Sequence, residues 1–313
     1  MKFEHIGMVG YGEVGKIFTA GLKDSVAGIS AWDLTFEAPA LRDAQRAHAA
    51  QAGVAACASM AALCGQADLI ISAVTASNTL AVAQAAAAHV RRGTVFLDLN
   101  SASPGTKQQA AALIDAAGGH YVEAGVMTSV PPYGIKVPML LGGARAAELA
   151  GVLAAWGMDA KAVSEKLGVA SAIKMCRSVM IKGLEALVIE SYTTARAYGV
   201  EDHVLPTLAE TFPSIDWEKQ GAYFFSRVVQ HGQRRAEEMR EAANTVRDAG
   251  LTPWSASGTA ERQAFVADLA DAGVFGEKGT PDFARSANWR VEADRILEAA
   301  GADRILAQAR TKD

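Results

Sequence analysis

The 313-residue sequence predicts an α/β fold in which an N-terminal Rossmann-type doubly wound sheet is followed by an all-α C-terminal domain. Three observations predict it. Through the first half, short apolar runs alternate with amphipathic stretches. A glycine turn of GxGxxG spacing follows the first of those runs. Beyond Val163 the strand signals cease and only helical patterns continue. The length suits roughly two domains, and the change of pattern puts their boundary near Ser164 to Gly168, giving units of 1–165 and 166–313.

Strands are predicted at His5–Val9, Gly28–Trp32, Leu69–Val74, Val95–Leu99, Tyr121–Val126 and Pro138–Leu141. Each is a run of four to six mostly apolar residues with no room for a helical period. Helices are predicted between them at Glu13–Leu22, Ala40–Ala50, Thr79–Val90, Thr106–Ala117 and Arg145–Trp156, where apolar residues recur at three and four. The second half opens on a long helix, about Ala170 to Tyr198. Val179, Met180, Leu184, Leu187 and Val188 give it an apolar surface wider than one small domain covers, which predicts a homodimer or higher homo-oligomer. Breaks are expected at Pro206, at Phe212-Pro213, and in the Gly250–Gly258 and Gly273–Pro281 loops.

Composition excludes several classes of function. Thirty Lys and Arg against 34 Asp and Glu give a net charge of −4, and the only basic doublets, Arg91-Arg92 and Arg234-Arg235, are too small to track nucleic acid. No apolar run approaches the ~18 residues of a membrane span. The glycine turn comes too soon after the first residues for a signal peptide, so a cytoplasmic protein is expected. Cys57, Cys64 and Cys176 are an odd count without CxxC spacing and are read as reduced packing residues. The six histidines are scattered, so no metal is expected.

In EHIGMVGYGEVGK, residues 4–16, Gly10, Gly12 and Gly15 lie between a strand and a helix. The first permits a tight turn, the second a close approach of backbone to pyrophosphate, the third close packing of helix on strand. Tyr11, Glu13 and Val14 complete that turn, and Asp33 ends the next strand, where a carboxylate accepts hydrogen bonds from an adenosine ribose. A carboxylate there repels a 2′-phosphate, so NAD is favoured, with NADP possible through Arg42 just downstream. Val74 and Thr75, at another strand end, are placed along the cofactor.

The chain resembles the β-hydroxyacid dehydrogenases, the superfamily of 3-hydroxyisobutyrate dehydrogenase and 6-phosphogluconate dehydrogenase, over essentially its whole length. The resemblance is carried by the glycine turn, by DLNSASPGT at Asp98–Thr106, which looks like the family's substrate-binding strand end, by VPMLLGG at Val137–Gly143, and by Lys174 in KMCRSVMIKG, where the family keeps its catalytic lysine. The resemblance implies an NAD-dependent enzyme moving hydride between nicotinamide and a 3-hydroxy acid or related compound, with the site between the two domains. Two departures mark an uncharacterised branch. Ser178 stands where the family has asparagine, four residues after the lysine. Met127, Thr128 and Ser129, then Pro131-Pro132-Tyr133-Gly134, stand where it has a serine-glycine-glycine turn.

Oxidising an alcohol requires a base for its hydroxyl proton. Lys174, with its proton affinity lowered by burial and by Arg177, is read as that base, as against a solvated surface lysine. Ser178 lies one turn on and either holds the lysine or substrate oxygen or has no role. Arg177 offers a planar fork to the carboxylate of an anionic hydroxy acid, or else makes a salt bridge between domains. Asn100 and Ser101, and more weakly Thr128 and Ser129, are substrate-binding candidates, with Tyr133 as an aromatic wall. Two rival readings are an imine reductase relative, against which Lys174 argues, and a non-catalytic NAD(P)-binding module. Trp217, Tyr223, Phe224 and Phe225 are read as core or subunit contact.

Overall fold

The computed structural model describes residues 1–280, 283 and 288–301. Eight strands form one sheet: β1 (His5–Val9), β2 (Gly28–Trp32), β3 (Ala55–Ala56), β4 (Leu69–Ser72), β5 (Val95–Asp98), β6 (His120–Val126), β7 (Met139–Gly142) and β8 (Ala160–Ser164). Their order is β3-β2-β1-β4-β5-β6-β7-β8, with β7 antiparallel to β6 and parallel pairing elsewhere. The first six strands thus follow the order of a doubly wound dinucleotide-binding sheet, whose switch point lies between β1 and β4. The predicted fold class is the observed one.

The strands read as continuous apolar runs because both faces of the sheet are covered. Helices α1 (Glu13–Leu22), α2 (Arg42–Gln51), α3 (Met60–Cys64), α4 (Thr79–Ala87), α5 (Pro104–Ala116) and α6 (Ala146–Ala155) alternate with them. One core gathers Ile6, Met8, Phe18, Leu97, Val122 and Leu141; a second gathers Val9, Leu63, Ile70, Phe96 and Ile114. Ile6 and Met8 alternate with Val9 and Gly7 across the pleat, so β1 feeds both. Gly7 is the point of closest packing, since a Cβ there would lie 2.7 Å from Leu63 Cδ2.

The second half carries five helices among the described residues: α7 (Val169–Tyr198), α8 (Glu201–Thr211), α9 (Trp217–Asp248), α10 (Trp254–Asp271) and α11 (Trp289–Ala300). Their core is built on Val188, Tyr192, Phe225, Val228, Val266 and Trp289. Residues 1–177 and 178–313 form two compact units, and the division falls inside α7.

Three elements were not foreseen. β3 is two residues long and α3 five, both below the length at which periodicity is visible. β8 is exposed at Lys161, Ala162 and Val163, so its apolar signal is weak. Two expected breaks are corrected. Pro206 lies inside α8 rather than ending it; Pro206 and Asp202 are both exposed, so water can reach the Asp202 carbonyl that the missing N–H leaves unbonded. α10 begins at Trp254 and runs through Gly258, a glycine tolerated where helix neighbours supply the stability.

Candidate active site

The glycine turn is shaped by contacts its neighbours would not allow a side chain to make. Gly10 has φ +92°, and a Cβ on it would lie 2.3 Å from the Ala73 carbonyl at the end of β4. A Cβ on Gly15 would lie 2.1 Å from the Gly10 carbonyl, which is how α1 comes close to β1. Gly12 is different: a Cβ there would meet nothing within 4 Å. Gly12 is the N-cap of α1, so the first amides of the helix, those of Glu13 and Val14 among them, have no partner within it. That is the cradle a pyrophosphate requires, and the residues present fit a dinucleotide.

Asp33 joins this turn to the end of β2. Its Oδ2 accepts from the Tyr11 amide at 2.6 Å, while Oδ1 accepts from the amide and hydroxyl of Thr35 at 2.7 and 2.6 Å. Both oxygens have internal partners, yet a carboxylate has about four acceptor positions, so capacity for a ribose hydroxyl remains. Tyr11 contributes only backbone: its ring is fully buried against Phe36, with the hydroxyl 3.2 Å from His48 Nδ1. Burial raises its phenol above the ordinary value. Arg42, the expected partner of a 2′-phosphate, is paired with Asp43.

From the glycine turn a chain of contacts runs across the ends of the strands. The Val74 amide donates to Asn100 Oδ1 at 2.7 Å, and Asn100 Nδ2 donates to Ser72 Oγ at 3.0 Å. Asn100 is buried, and its amide fastens β4 to β5. Thr75 is exposed and bonded to Ser77 and Asn78. Ser101, which follows Asn100 in the chain, accepts from Lys174 Nζ at 2.5 Å. Lys174 is half-buried.

Two buried carboxylates hold this corner. Asp98 lies opposite Glu123 in the β5–β6 register. Lys107, itself fully buried, sits 2.9 Å from Asp98 Oδ1 and donates to the Asp98 carbonyl at 2.9 Å. Tyr121 Oη donates to Asp98 Oδ2 at 2.5 Å, and the Asn100 amide to Oδ1 at 2.8 Å. Burial, then the Asp98 carboxylate, pushes the Tyr121 phenol well above its ordinary value. Glu123 accepts from the amides of Gly168, Ala170 and Ser171 at 2.7, 3.1 and 3.3 Å and from Ser171 Oγ at 2.7 Å. These are the unpaired donors at the start of α7, which a carboxylate satisfies while opposing the helix dipole. Gly142 leaves room for it, since a Cβ there would lie 2.4 Å from Glu123 Oε1. Gly125 lets the helix approach β6: its Cβ would lie 3.0 Å from the Ala170 carbonyl and 3.4 Å from Lys174 Cβ.

Glu123, Gly125 and Lys107 were missed in the sequence. Their signal was a charge in an otherwise apolar setting, the glutamate of YVEAGV and a lysine on an alanine-rich helix. Such charges fold only when paired.

The other candidates differ in exposure. Thr128 is exposed and Ser129 half-buried, both before the exposed Pro131, Pro132 and Tyr133. Arg177 is exposed and makes no ion pair among the described residues. Ser178, the first residue of the second unit, is 5% exposed and accepts from Lys182 Nζ at 3.2 Å. Trp217, Phe224 and Phe225 are core, whereas Tyr223 is exposed. No metal-binding cluster of His, Cys, Asp and Glu occurs among the described residues. A cavity of about 750 Å³ opens at the opposite ends of β5 and β6, lined by Arg92, His120, Arg145 and Glu165; of the residues described above, Tyr121 is the one that lines it.

Comparison with known proteins agrees with this geometry. Residues 5–157 match the NAD binding domain of 6-phosphogluconate dehydrogenase, and residues 195–266 match a domain of unknown function, DUF1932. A conserved hypothetical protein from Sinorhizobium meliloti 1021 is 40% identical, covering 94% of this chain and 97% of that one, with a TM-score of 0.71. A 3-hydroxyisobutyrate dehydrogenase of Mycobacterium tuberculosis, solved with L-serine, shares the fold at 17% identity, with 94% and 100% covered and a TM-score of 0.67. So does an imine reductase from Myxococcus stipitatus in complex with NADP+, at 17% identity, with 94% and 99% covered and a TM-score of 0.51. The chain belongs to the β-hydroxyacid dehydrogenase superfamily, in a divergent branch that joins a cofactor domain of the 6-phosphogluconate dehydrogenase type to a different C-terminal domain.

Proposed function

We propose that the protein is an NAD-dependent dehydrogenase or reductase of a 3-hydroxy acid or related alcohol and carbonyl pair, with Lys174 as general acid and base. Membership of the superfamily supports an oxidoreductase. The finer reading is carried by one observation, the hydrogen bond from Lys174 to Ser101. It stands at the end of an unbroken series of contacts from the glycine turn through Ala73, Val74 and Asn100. A proton-transfer group is thereby held at the same edge of the sheet as the dinucleotide cradle, as hydride transfer from a carbinol requires.

Bound nicotinamide would supply the hydride acceptor or donor. Lys174 Nζ would take the substrate hydroxyl proton on oxidation and return one to the carbonyl oxygen on reduction. Ser101 fixes the direction of Nζ, and Asp98 and Lys107 fix Ser101 through the strand end. Arg177, exposed and without an ion-pair partner among the described residues, suits a substrate carboxylate. Asp33 favours NAD over NADP because its carboxylate would repel a 2′-phosphate. In this reading, residues 1–165 form the cofactor domain and 166–313 the substrate and dimerisation domain.

α7 exposes Met180 and Leu187, 73% and 68% accessible, with Ile173, Ile181 and Leu184 beside them. An apolar surface of that extent supports association with a second copy of the chain. No described helix is long and apolar enough to cross a membrane, and we place the protein in the cytoplasm. The test is absorbance at 340 nm with NAD and with NADP against a panel of 3-hydroxy acids, aldonates and aromatic hydroxy acids. Turnover faster with NAD is expected; NADH binding without any turnover would sink the dehydrogenase reading.

A further inference from the structure

We infer that Lys182 is a positioning residue that turns the Ser178 hydroxyl into a hydrogen-bond donor for the oxygen of the substrate; this rests on the dehydrogenase reading above. Lys174, Ser178 and Lys182 are spaced i, i+4 and i+8 along α7, one ridge of a single helix. Lys182 is 7% exposed, with Nζ 2.8 Å from Glu238 Oε2, and it donates to Ser178 Oγ at 3.2 Å. An ammonium group has three hydrogens and no lone pair, so Ser178 is the acceptor of that bond. A serine inside a helix ordinarily gives its proton to the carbonyl four residues back. Ser178 does not: Lys182 is its hydrogen-bond partner among the described residues. The hydroxyl is buried, one of its two lone pairs is taken, and among the described residues its proton has no acceptor, which is unfavourable unless one arrives from outside the chain.

The lysine is itself held in place. Glu238 is buried on α9 and balances its charge, with Arg234 3.8 Å from the other carboxylate oxygen. The pair therefore fixes which way the Ser178 proton points rather than serving as a second base. An asparagine would bring amide hydrogens to this place unaided; a serine does so only with a lysine behind it. A hydroxyl whose proton is directed away from Lys182 in this way selects an oxygen acceptor, carbonyl, hydroxyl or carboxylate. It offers nothing to a protonated imine, whose nitrogen carries a hydrogen and no lone pair. The structure thus assigns specificity for oxygen substrates to Ser178 and Lys182 together.

The test is a double-mutant cycle, read as kcat and KM with 3-hydroxyisobutyrate or the panel acid that turns over fastest. Removing Lys182 alone would take from the buried Glu238 its nearest cation, so Lys182→Met is combined with Glu238→Gln, and urea unfolding checks that the variant is folded. Ser178→Ala and the charge-pair variant should each lower kcat/KM about tenfold, mostly in kcat, the loss expected for one hydrogen bond. The triple variant should be no slower than Ser178→Ala, and Ser178→Asn should restore rate with or without Lys182. Losses that multiply in the triple variant would overturn the inference. Lys174→Met run alongside separates the claims: full activity there overturns the dehydrogenase reading, whereas an inactive Lys174→Met with multiplying losses overturns only this one. If no acid turns over, a crystal structure decides it. Ser178 Oγ must lie against Lys182 Nζ and out of reach of the Lys174 carbonyl; a bond to that carbonyl would refute the inference.

Discussion

At the scale of single residues, the glycines of the turn have separable duties. Gly10 sits at φ +92° with the Ala73 carbonyl in the way of any side chain. Gly10→Ala is expected to lower stability by about 2 kcal/mol or more in urea unfolding, because strain and clash add. Gly12→Ala places its methyl in open space and should leave stability within about 0.5 kcal/mol of the parent. It should still weaken NADH binding, measured by fluorescence titration, at least tenfold. If both variants lost stability equally, Gly12 would not be the cradle. The spacing of the three glycines was legible in the sequence; the destinations of Tyr11 and Asn100 were not. Both lie at positions that suggested ligand contact, and both face partners distant in sequence, His48 and Val74, that no local pattern reveals.

Among the elements, α7 is the one on which the chemistry depends, and its start is held by Glu123. Glu123→Gln keeps the shape but loses the charge and turns an amide NH2 toward backbone donors. The expected result is a loss of about 3 kcal/mol in urea unfolding, from charge-assisted bonds and the dipole together. Turnover should fall as well, since Lys174 begins its turn six residues after Gly168. A variant as stable as the parent would show that α7 is positioned by its apolar contacts alone. The helix was visible in sequence from its period, to within one residue of its first residue. Its anchor was not, because a buried carboxylate is read from the strand it interrupts only once the donors that neutralise it are known. β3, α3 and β8 were missed for a simpler reason: two of them are too short to show a period and the third is exposed along one edge.

For the whole molecule, two compact units share one chain; the loss of strand signals after Val163 put their boundary at 165/166, whereas the division falls at 177/178, inside α7. The helical unit carries its own titrating group. Burial first, then Arg227, Arg234 and Arg235, lowers the pKa of His231 from 6.5 to about 4, with Glu238 opposing. In the unfolded chain His231 gains its proton near pH 6.5; in the folded protein it does not until about pH 4. Its contribution to stability is therefore full above pH 6.5 and lost progressively as pH falls toward 4. His231→Gln should remove that part of the slope in unfolding measurements across pH 7 to 4, leaving the carboxylate part. Identical slopes for parent and variant would contradict a buried neutral histidine.

The central claim is that Lys174, held by Ser101 at the edge of the dinucleotide sheet, moves the substrate proton. The measurement that tests it most directly is kcat at 340 nm for Lys174→Met beside the parent, with NADH affinity measured on both. In Lys174→Met, kcat should fall by about 10²- to 10⁴-fold, the range for loss of a general acid or base, with NADH affinity unchanged. Turnover within a few-fold of the parent would contradict it and return Lys174 to the role of a structural lysine.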